Sequence, residues 1–327
     1  MPTTDRRAIL RVALALPAAG ALPLGTARAQ AAPDLSGRSI LITGASSGFG
    51  YLGALHYASL GAKVFATMRR TPRPEAEALQ KAAREADLDL TVLDLDVTDD
   101  DSVARAAEAT LDATGGALDV LVNNAGIAYG GPVEMQDMAA TRHLFDTNVF
   151  GPHRLARAFL PSMRAAGRGH IVNVSSQLGR IVVPGFGQYA PTKFALEAMS
   201  EQMAYEVAAF GIDVTIIEPG GYPTDIWENA GALTDDLLAR TPEDMKAVYA
   251  GYLTSMRERG TGQTDPMDVP RAIAAALTTP RGQRPLRIAV HPASTPQEAV
   301  NAASRATQRA VMERMGLGAT AEAVLGG

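Results

Sequence analysis

The chain has 327 residues, 46% apolar and 20% charged, which suits one large α/β domain or two small ones around a sizeable core. Its formal charge of −5 carries no basic footprint for nucleic acid. The absence of cysteine excludes disulfides, thiolate metal sites and a cysteine nucleophile; no two of the five histidines sit at a metal-ligand spacing, so no metal is expected.

In chain order, residues 1–29 read differently from the rest. Paired Arg6 and Arg7, a short apolar run and Ala27-Arg28-Ala29 form the n-region, h-region and cleavage site of an export signal of twin-arginine type. Pro17, Gly20 and Pro23 break the run, so it makes a poor membrane span. A disordered extension, or a start codon upstream of the true one, are the alternatives. An active signal predicts a periplasmic or exported protein, and otherwise a cytoplasmic one.

Residues 30–327 are predicted to form a single domain. Short β-branched runs at 38–43, 62–68, 88–97, 118–126, 170–176, 212–220 and 286–291 read as strands. Ala-rich stretches at 48–60, 74–86, 99–114, 137–165 and 188–210 read as helices. This alternation predicts an α/β fold: a doubly wound parallel sheet of about seven strands with helices on both faces. Residues 222–262, with the only tryptophan, Trp227, form an insertion expected to be a partly helical lid. Residues 296–316 read as one amphipathic helix, for surface packing or a subunit contact.

The first strand runs into "TGASSGFG" (43–50), and a helix follows. Such a turn brings backbone N–H groups against a pyrophosphate at a helix N-terminus. Gly44 permits the turn, Gly48 close approach of phosphates and Gly50 close helix–sheet packing; Ser46, Ser47 and Phe49 lie in the same loop. The end of the second strand decides the nucleotide. A carboxylate there would accept from a ribose 2′-OH, but the sequence reads "KVFATMRR", with Met68 in that place and Arg69 and Arg70 after it. Arginine forks match phosphate, which predicts NADP(H); the alternative is a solvated strand end.

Further along lie Asn148 in "NVFG", Ser176 at the end of the fifth strand, Tyr189 thirteen residues later and Lys193 four after that. A helix places i and i+4 on one face, so Tyr189 and Lys193 can share a site. A phenol with a pKa near ~10 is a poor acid–base group at neutral pH, and a nearby ammonium favours its phenolate.

With its G-x-x-x-G-x-G turn and Tyr-x-x-x-Lys pair, the chain resembles the compact single-domain branch of the short-chain dehydrogenase/reductase family, over about residues 36–292. The resemblance implies a Rossmann fold and interconversion of a ketone or aldehyde with its alcohol. It implies Tyr189 as general acid/base and Lys193 supplying charge and holding the nicotinamide ribose. Ser176 would bind the substrate oxygen, and Asn148 would hold, through its backbone, a water linking Lys193 to solvent. "NNAG" (123–126) matches the family motif on the adenine side, giving Asn123, Ala125 and Gly126, and Asp96 and Val97 match the adenine-contacting pair. "PGGYPT" (219–224) matches the stretch beside the nicotinamide, with Pro219, Gly220, Tyr222 and Thr224. Ser47 stands where many NADP enzymes have a second basic residue, and Thr192 replaces the serine usual before the lysine.

"VFATMRR" looks like the branch with hydroxysteroid and retinol dehydrogenases. Tyr222, Ile226, Trp227, Leu233, Leu237 and Leu238 suggest either an apolar substrate pocket or the packing face of the lid. Relatives pair through the helices at 137–165 and 188–210, which implies a homodimer or homotetramer. A redox regulator that binds NADP(H) without turnover is the rival reading, but it predicts a damaged Tyr/Lys pair. A sugar-nucleotide epimerase would show G-x-x-G-x-x-G and a larger C-terminal substrate domain.

Overall fold

A computed structural model describes residues 33–257 and 263–326. The predicted export signal lies outside the described residues, as does the end of the lid at 258–262.

Seven parallel strands form one sheet: β1 (Ser39–Thr43), β2 (Lys63–Met68), β3 (Leu90–Asp94), β4 (Val120–Asn123), β5 (Gly169–Val174), β6 (Ile212–Pro219) and β7 (Arg287–Val290), in the order β3-β2-β1-β4-β5-β6-β7. The inner strands are mostly apolar because both faces are covered, with buried polar exceptions such as Asn123, His170, Asn173 and Glu218. Period-two alternation divides them between two cores. Ile40, Ile42, Val120, Val122, Val172 and Ile217 face one core, which includes α1 (Gly48–Ser59) and α10 (Asp268–Thr278). Leu41, Leu121, Ile171 and Ile216 face the other, with α3 (Asp100–Ala113), α5 (Gly151–Ala166) and α6 (Tyr189–Val207). The strand order reverses between β1 and β4, and in such sheets ligands bind in the crevice at that switch point.

The remaining helices are α2 (Pro74–Glu85), α4 (Met138–Phe145), α7 (Ile226–Ala239), α8 (Glu243–Val248), α9 (Ala250–Arg257), α11 (Gln297–Arg314) and α12 (Gly318–Leu325). One expectation changes. The helix expected at 137–165 is broken into α4 and α5 by a π-helical turn, Asp146–Phe150, in which Gly151 donates to the Asp146 carbonyl. Pro152 follows and has no N–H for the Asn148 carbonyl four residues back. The C-terminal helix forms where it is expected, as α11, and stops at Gly316, whose φ is +76°; beyond it α12 turns back to bury Ala321 and Leu325 in the second core. Of the two readings of Tyr222, the structure fits packing: its ring is buried in the first core, edge-on to Phe49 at 5.5 Å and to His291 at 5.7 Å.

Candidate active site

The glycine turn joins β1 to α1 and meets the end of β4. Thr43 Oγ1 accepts from the backbone N–H groups of Asn124 and Ala125 at 3.0 and 2.9 Å, and the Asn124 amide donates to the Thr43 carbonyl at 2.9 Å. Gly44 has φ +70°, and a Cβ there would stand 2.8 Å from Ala125 Cα. A Cβ at Gly50 would stand 2.2 Å from the Gly44 carbonyl oxygen. Only glycine lets the helix start this close to the strand. Ser47 precedes α1 with no side-chain cap, and no acidic residue occupies the first turn. The first N–H groups of the helix are therefore available to an anion.

A cavity of about 410 Å³ opens over this turn. Of the expected nucleotide residues, Gly44, Ser46, Ser47, Gly48 and Phe49 form its floor. Arg69, Asp96 and Val97 line one end, and Ala125, Gly126 and Thr224 the other. Arg70 adopts φ +61° and does not line the cavity. Arg73 does, although no motif pointed to it. Its guanidinium is gripped by both Glu75 oxygens at 2.8 and 2.9 Å. Burial pushes the Asp96 carboxyl up, but hydrogen bonds from Thr98 and the charges of Arg69 and Arg70 outweigh it and hold the group below its ordinary range.

Asn123 is turned into the sheet, where its amide donates to Asn173 Oδ1 at 2.7 Å, and Asn173 donates to Ser200 at 2.7 Å. Its neighbour Asn124, absent from the expected set, lines the cavity instead. Pro219 and Gly220 end β6 against β7, with Gly220 donating to the Val290 carbonyl at 3.0 Å. With Gly50 and Tyr222, they stand behind the cavity wall rather than in it. The lid contributes Ile226, Asn229 and Leu233, one helical face of α7 at spacings of three and four. That spacing was visible in the sequence, but Asn229, next to Glu228, belongs to no motif that would single it out.

Ser176, Tyr189, Lys193 and Asn148 converge next to the cavity. A Cβ on Gly126, which lines it, would be 3.4 Å from Asn148 Oδ1 and 3.7 Å from Lys193 Nζ. Lys193 is 4% exposed; its Nζ donates to the Val174 carbonyl at 2.9 Å and lies 5.7 Å from the Tyr189 ring centre. Ser176 ends the stretch after β5 and caps the following 3-10 turn, accepting from Leu178 N–H at 3.1 Å. The Asn148 amide clamps both backbone groups of Ile127 at 2.9 Å and donates to Thr192 Oγ1 at 3.1 Å. Its side chain is thereby fully engaged, and Thr192 is the link between the π turn and α6.

The electrostatics depart from the simple expectation. Burial pushes the Tyr189 hydroxyl up to about 12, with a hydrogen bond from Ser176 pulling the other way. Burial brings Lys193 down to about 8, and the charge of Glu197 opposes this. The ammonium lies over the ring face and bonds to a carbonyl, so burial outweighs it at the hydroxyl. On the open side of Tyr189 stands an aromatic wall: Phe186 is 6.4 Å from Tyr189 and 6.3 Å from Trp227, ring centre to ring centre. The Trp227 indole is fixed by donating to the Tyr222 carbonyl at 2.7 Å.

The switch-point crevice and its glycine turn define a nucleotide-binding α/β protein. More narrowly, the chain belongs to the short-chain dehydrogenase/reductase family of oxidoreductases, whose members bind a nicotinamide cofactor: the profile described as short chain dehydrogenase matches residues 38–234. It is 37% identical to retinol dehydrogenase 8 of Bos taurus, over 81% of this chain and 85% of that protein. It is also 37% identical to the uncharacterized oxidoreductase YusZ of Bacillus subtilis, over 70% of this chain and 80% of that one. A solved short-chain dehydrogenase from Streptomyces avermitilis shares the fold with a TM-score of 0.68 at 35% identity, covering 87% of this chain and 99% of that one. Other solved structures of the fold are complexes with NAD or with NADP. Among the described residues no helix is long and apolar enough to cross a membrane.

Proposed function

We propose that the protein interconverts a ketone or aldehyde with its alcohol, using NADP(H), with Tyr189 as the general acid/base. The observation that carries this reading is the convergence of Tyr189, Lys193, Ser176 and Asn148 beside Gly126, at one end of the nucleotide cavity. The residues present fit a dinucleotide: uncapped N–H groups of α1, the ionised Asp96 and two arginines face one space. When bound, the nicotinamide supplies or accepts the hydride.

In reduction, the Ser176 hydroxyl orients the substrate oxygen and Tyr189 delivers the proton to it. Lys193 stabilises the phenolate left behind, and the Asn148 carbonyl, which Pro152 cannot satisfy, offers the anchor for a water that returns the proton. Met68 in place of a carboxylate, with Arg69 and Arg73 on the cavity wall, supports NADP(H) over NAD(H). Phe186 and Trp227 beside Tyr189 support a substrate with an apolar body. We further infer a homodimer or homotetramer through α5 and α6, where Phe194 of α6 and Phe150, at the end of the π turn before α5, are exposed; sedimentation as a monomer at micromolar concentration refutes it.

A panel of apolar ketones and aldehydes with NADPH tests the reaction, read as loss of NADPH absorbance. If Tyr189→Phe keeps the wild-type rate on the best substrate, the mechanism is wrong. Because Lys193 titrates near 8 and acts as the cation, reduction is expected to decline as pH rises through that value.

A further inference from the structure

Directly behind Lys193 lies a buried charge cluster that the reaction does not use. Glu197 is one turn along α6 from Lys193, and Glu201 one turn further. Glu218 on β6 is 0% exposed and Glu197 1%. All three carboxylates face Arg287 of β7. Its Nε is 2.8 Å from Glu197 Oε2 and 3.5 Å from Glu218 Oε1, and its Nη2 is 2.7 Å from Glu201 Oε2. Arg180, after the 3-10 turn, is the other cation near Glu218, and its buried Nε has no hydrogen-bond partner. From α11 come only neutral groups: Asn301 donates to Glu218 Oε2 at 2.7 Å and Gln297 to the Glu218 carbonyl at 3.2 Å. Ser175 is buried on the same side. Tyr205 donates to Glu201 at 2.8 Å.

Two buried carboxylates, Glu197 and Glu218, and the partly exposed Glu201 share one well-placed guanidinium. Lys193 stands near Glu197 and Arg180 near Glu218, but Lys193 gives its hydrogen bond to the Val174 carbonyl. Glu218 is the carboxylate left without a hydrogen-bonded cation, and burying such a charge is costly. Glu197 and Glu201 hold the hydrogen bonds to Arg287; Glu218 has none from it, only a long ion pair. One oxygen of Glu197 and one of Glu218 are buried without a hydrogen-bond partner. Glu218 is therefore the group that relieves the cluster most cheaply by taking up a proton.

We propose that Glu218 carries a proton around neutral pH, while Glu197, ion-paired to Arg287, keeps Lys193 charged. Both are positioning residues: neither touches substrate or cofactor. The part concerning Lys193 rests on the proposed reaction; the proton on Glu218 does not. Burial, then the charge of Glu197, pushes Glu218 up to about 7, with Asn301, Arg287 and Arg180 opposing. A carboxyl raised in the folded state favours folding most at low pH. That contribution is lost as pH rises from its ordinary value of 4.5 through about 7.

The test is a pair of melting series, wild type and Glu218→Gln, from about pH 5 to pH 9, with NADPH turnover against pH for Glu197→Gln. The Glu218→Gln variant, neutral at every pH, is expected to gain on wild type as pH rises through neutrality. Parallel melting curves overturn the proton on Glu218. Should Glu218→Gln not fold, the infrared spectrum of the wild type decides. A protonated-carboxyl band present near neutral pH and lost on alkalinisation supports that proton; its absence refutes it. Glu197→Gln is expected to move the alkaline limb of turnover down by about one pH unit. An unmoved limb in a folded variant overturns the link to Lys193. Failure of the reaction itself is read separately, from Tyr189→Phe.

Discussion

The two sides of the cavity are built by different means. The floor, from Gly44 to Gly50 and across to Ala125, is backbone held in place by strand ends and hydroxyls. The roof, from Ile226 to Leu233, is side chains on α7, a helix with one fully buried residue, Leu237. The floor tolerates almost no added atom, whereas the roof rests on a small cluster of Tyr129, Ala140, Leu144 and Leu237 and on exposed polar contacts. Backbone sites bind what related chains bind; side-chain roofs are free to diverge. Damage to the floor should therefore remove function outright, and damage to the roof should retune it.

The largest expected effect lies where the two meet. Tyr189→Phe removes the proposed proton donor and leaves the ring; kcat is expected to fall roughly 10²- to 10⁴-fold with NADPH affinity nearly unchanged. On the floor, Gly50→Ala puts a methyl 2.2 Å from the Gly44 oxygen and 2.7 Å from Asn124 Nδ2. A clash of that kind costs about 1–3 kcal/mol or more, so both a lowered Tm and loss of NADPH binding by titration are expected. A variant that binds NADPH like wild type breaks the contrast between floor and roof.

At the rim, Arg69→Ala or Arg73→Ala should weaken NADPH selectively. A hydrogen bond to a charged group is worth about 1.5–3 kcal/mol, or roughly 10- to 100-fold in affinity. Isothermal titration with NADPH and NADH reads it; equal losses for both would place the arginines away from the 2′-phosphate. The Arg73 effect should be the smaller, because Glu75 competes for the same guanidinium.

These differences track what was legible. Strand pattern and the glycine turn announce the fold because glycine and continuous apolar runs have few other uses. The Tyr189–Lys193 spacing likewise needs only a helix to bring both groups together. Other features needed three dimensions. Arg73 reaches the cavity, and Arg70 does not, because the chain turns with φ +61° at Arg70. Asn123 and Asn124 are adjacent and alike in sequence, yet strand alternation sends one into the sheet and the other to the cavity. Tyr222 allowed a pocket or a packing reading, and its ring fills the core under Phe49. The π turn at Asn148 was hidden within a pattern helical on both sides, although Pro152 was the available sign of it.

The smallest effect separates docking of the roof from its composition. Arg240, just past α7, pairs with Asp137 at 2.5 Å and with Asp236, and these side chains are 37% to 71% exposed. Exposed pairs contribute about 0–1 kcal/mol. Arg240→Ala should thus raise the substrate KM by no more than about five-fold, leaving NADPH affinity alone. Asp137 also caps α4, accepting from Ala140 N–H at 2.7 Å. Asp137→Ala loses the cap as well, typically another ~1 kcal/mol, and should lower Tm where Arg240→Ala does not. The double variant should match Asp137→Ala alone in KM, since each single change already breaks the Asp137–Arg240 pair and the Arg240–Asp236 pair lies within the roof itself. Additive effects on KM would mean that the roof is held by something other than this pair, with Thr234, which accepts from Gly130 N–H at 2.8 Å, the next contact to test.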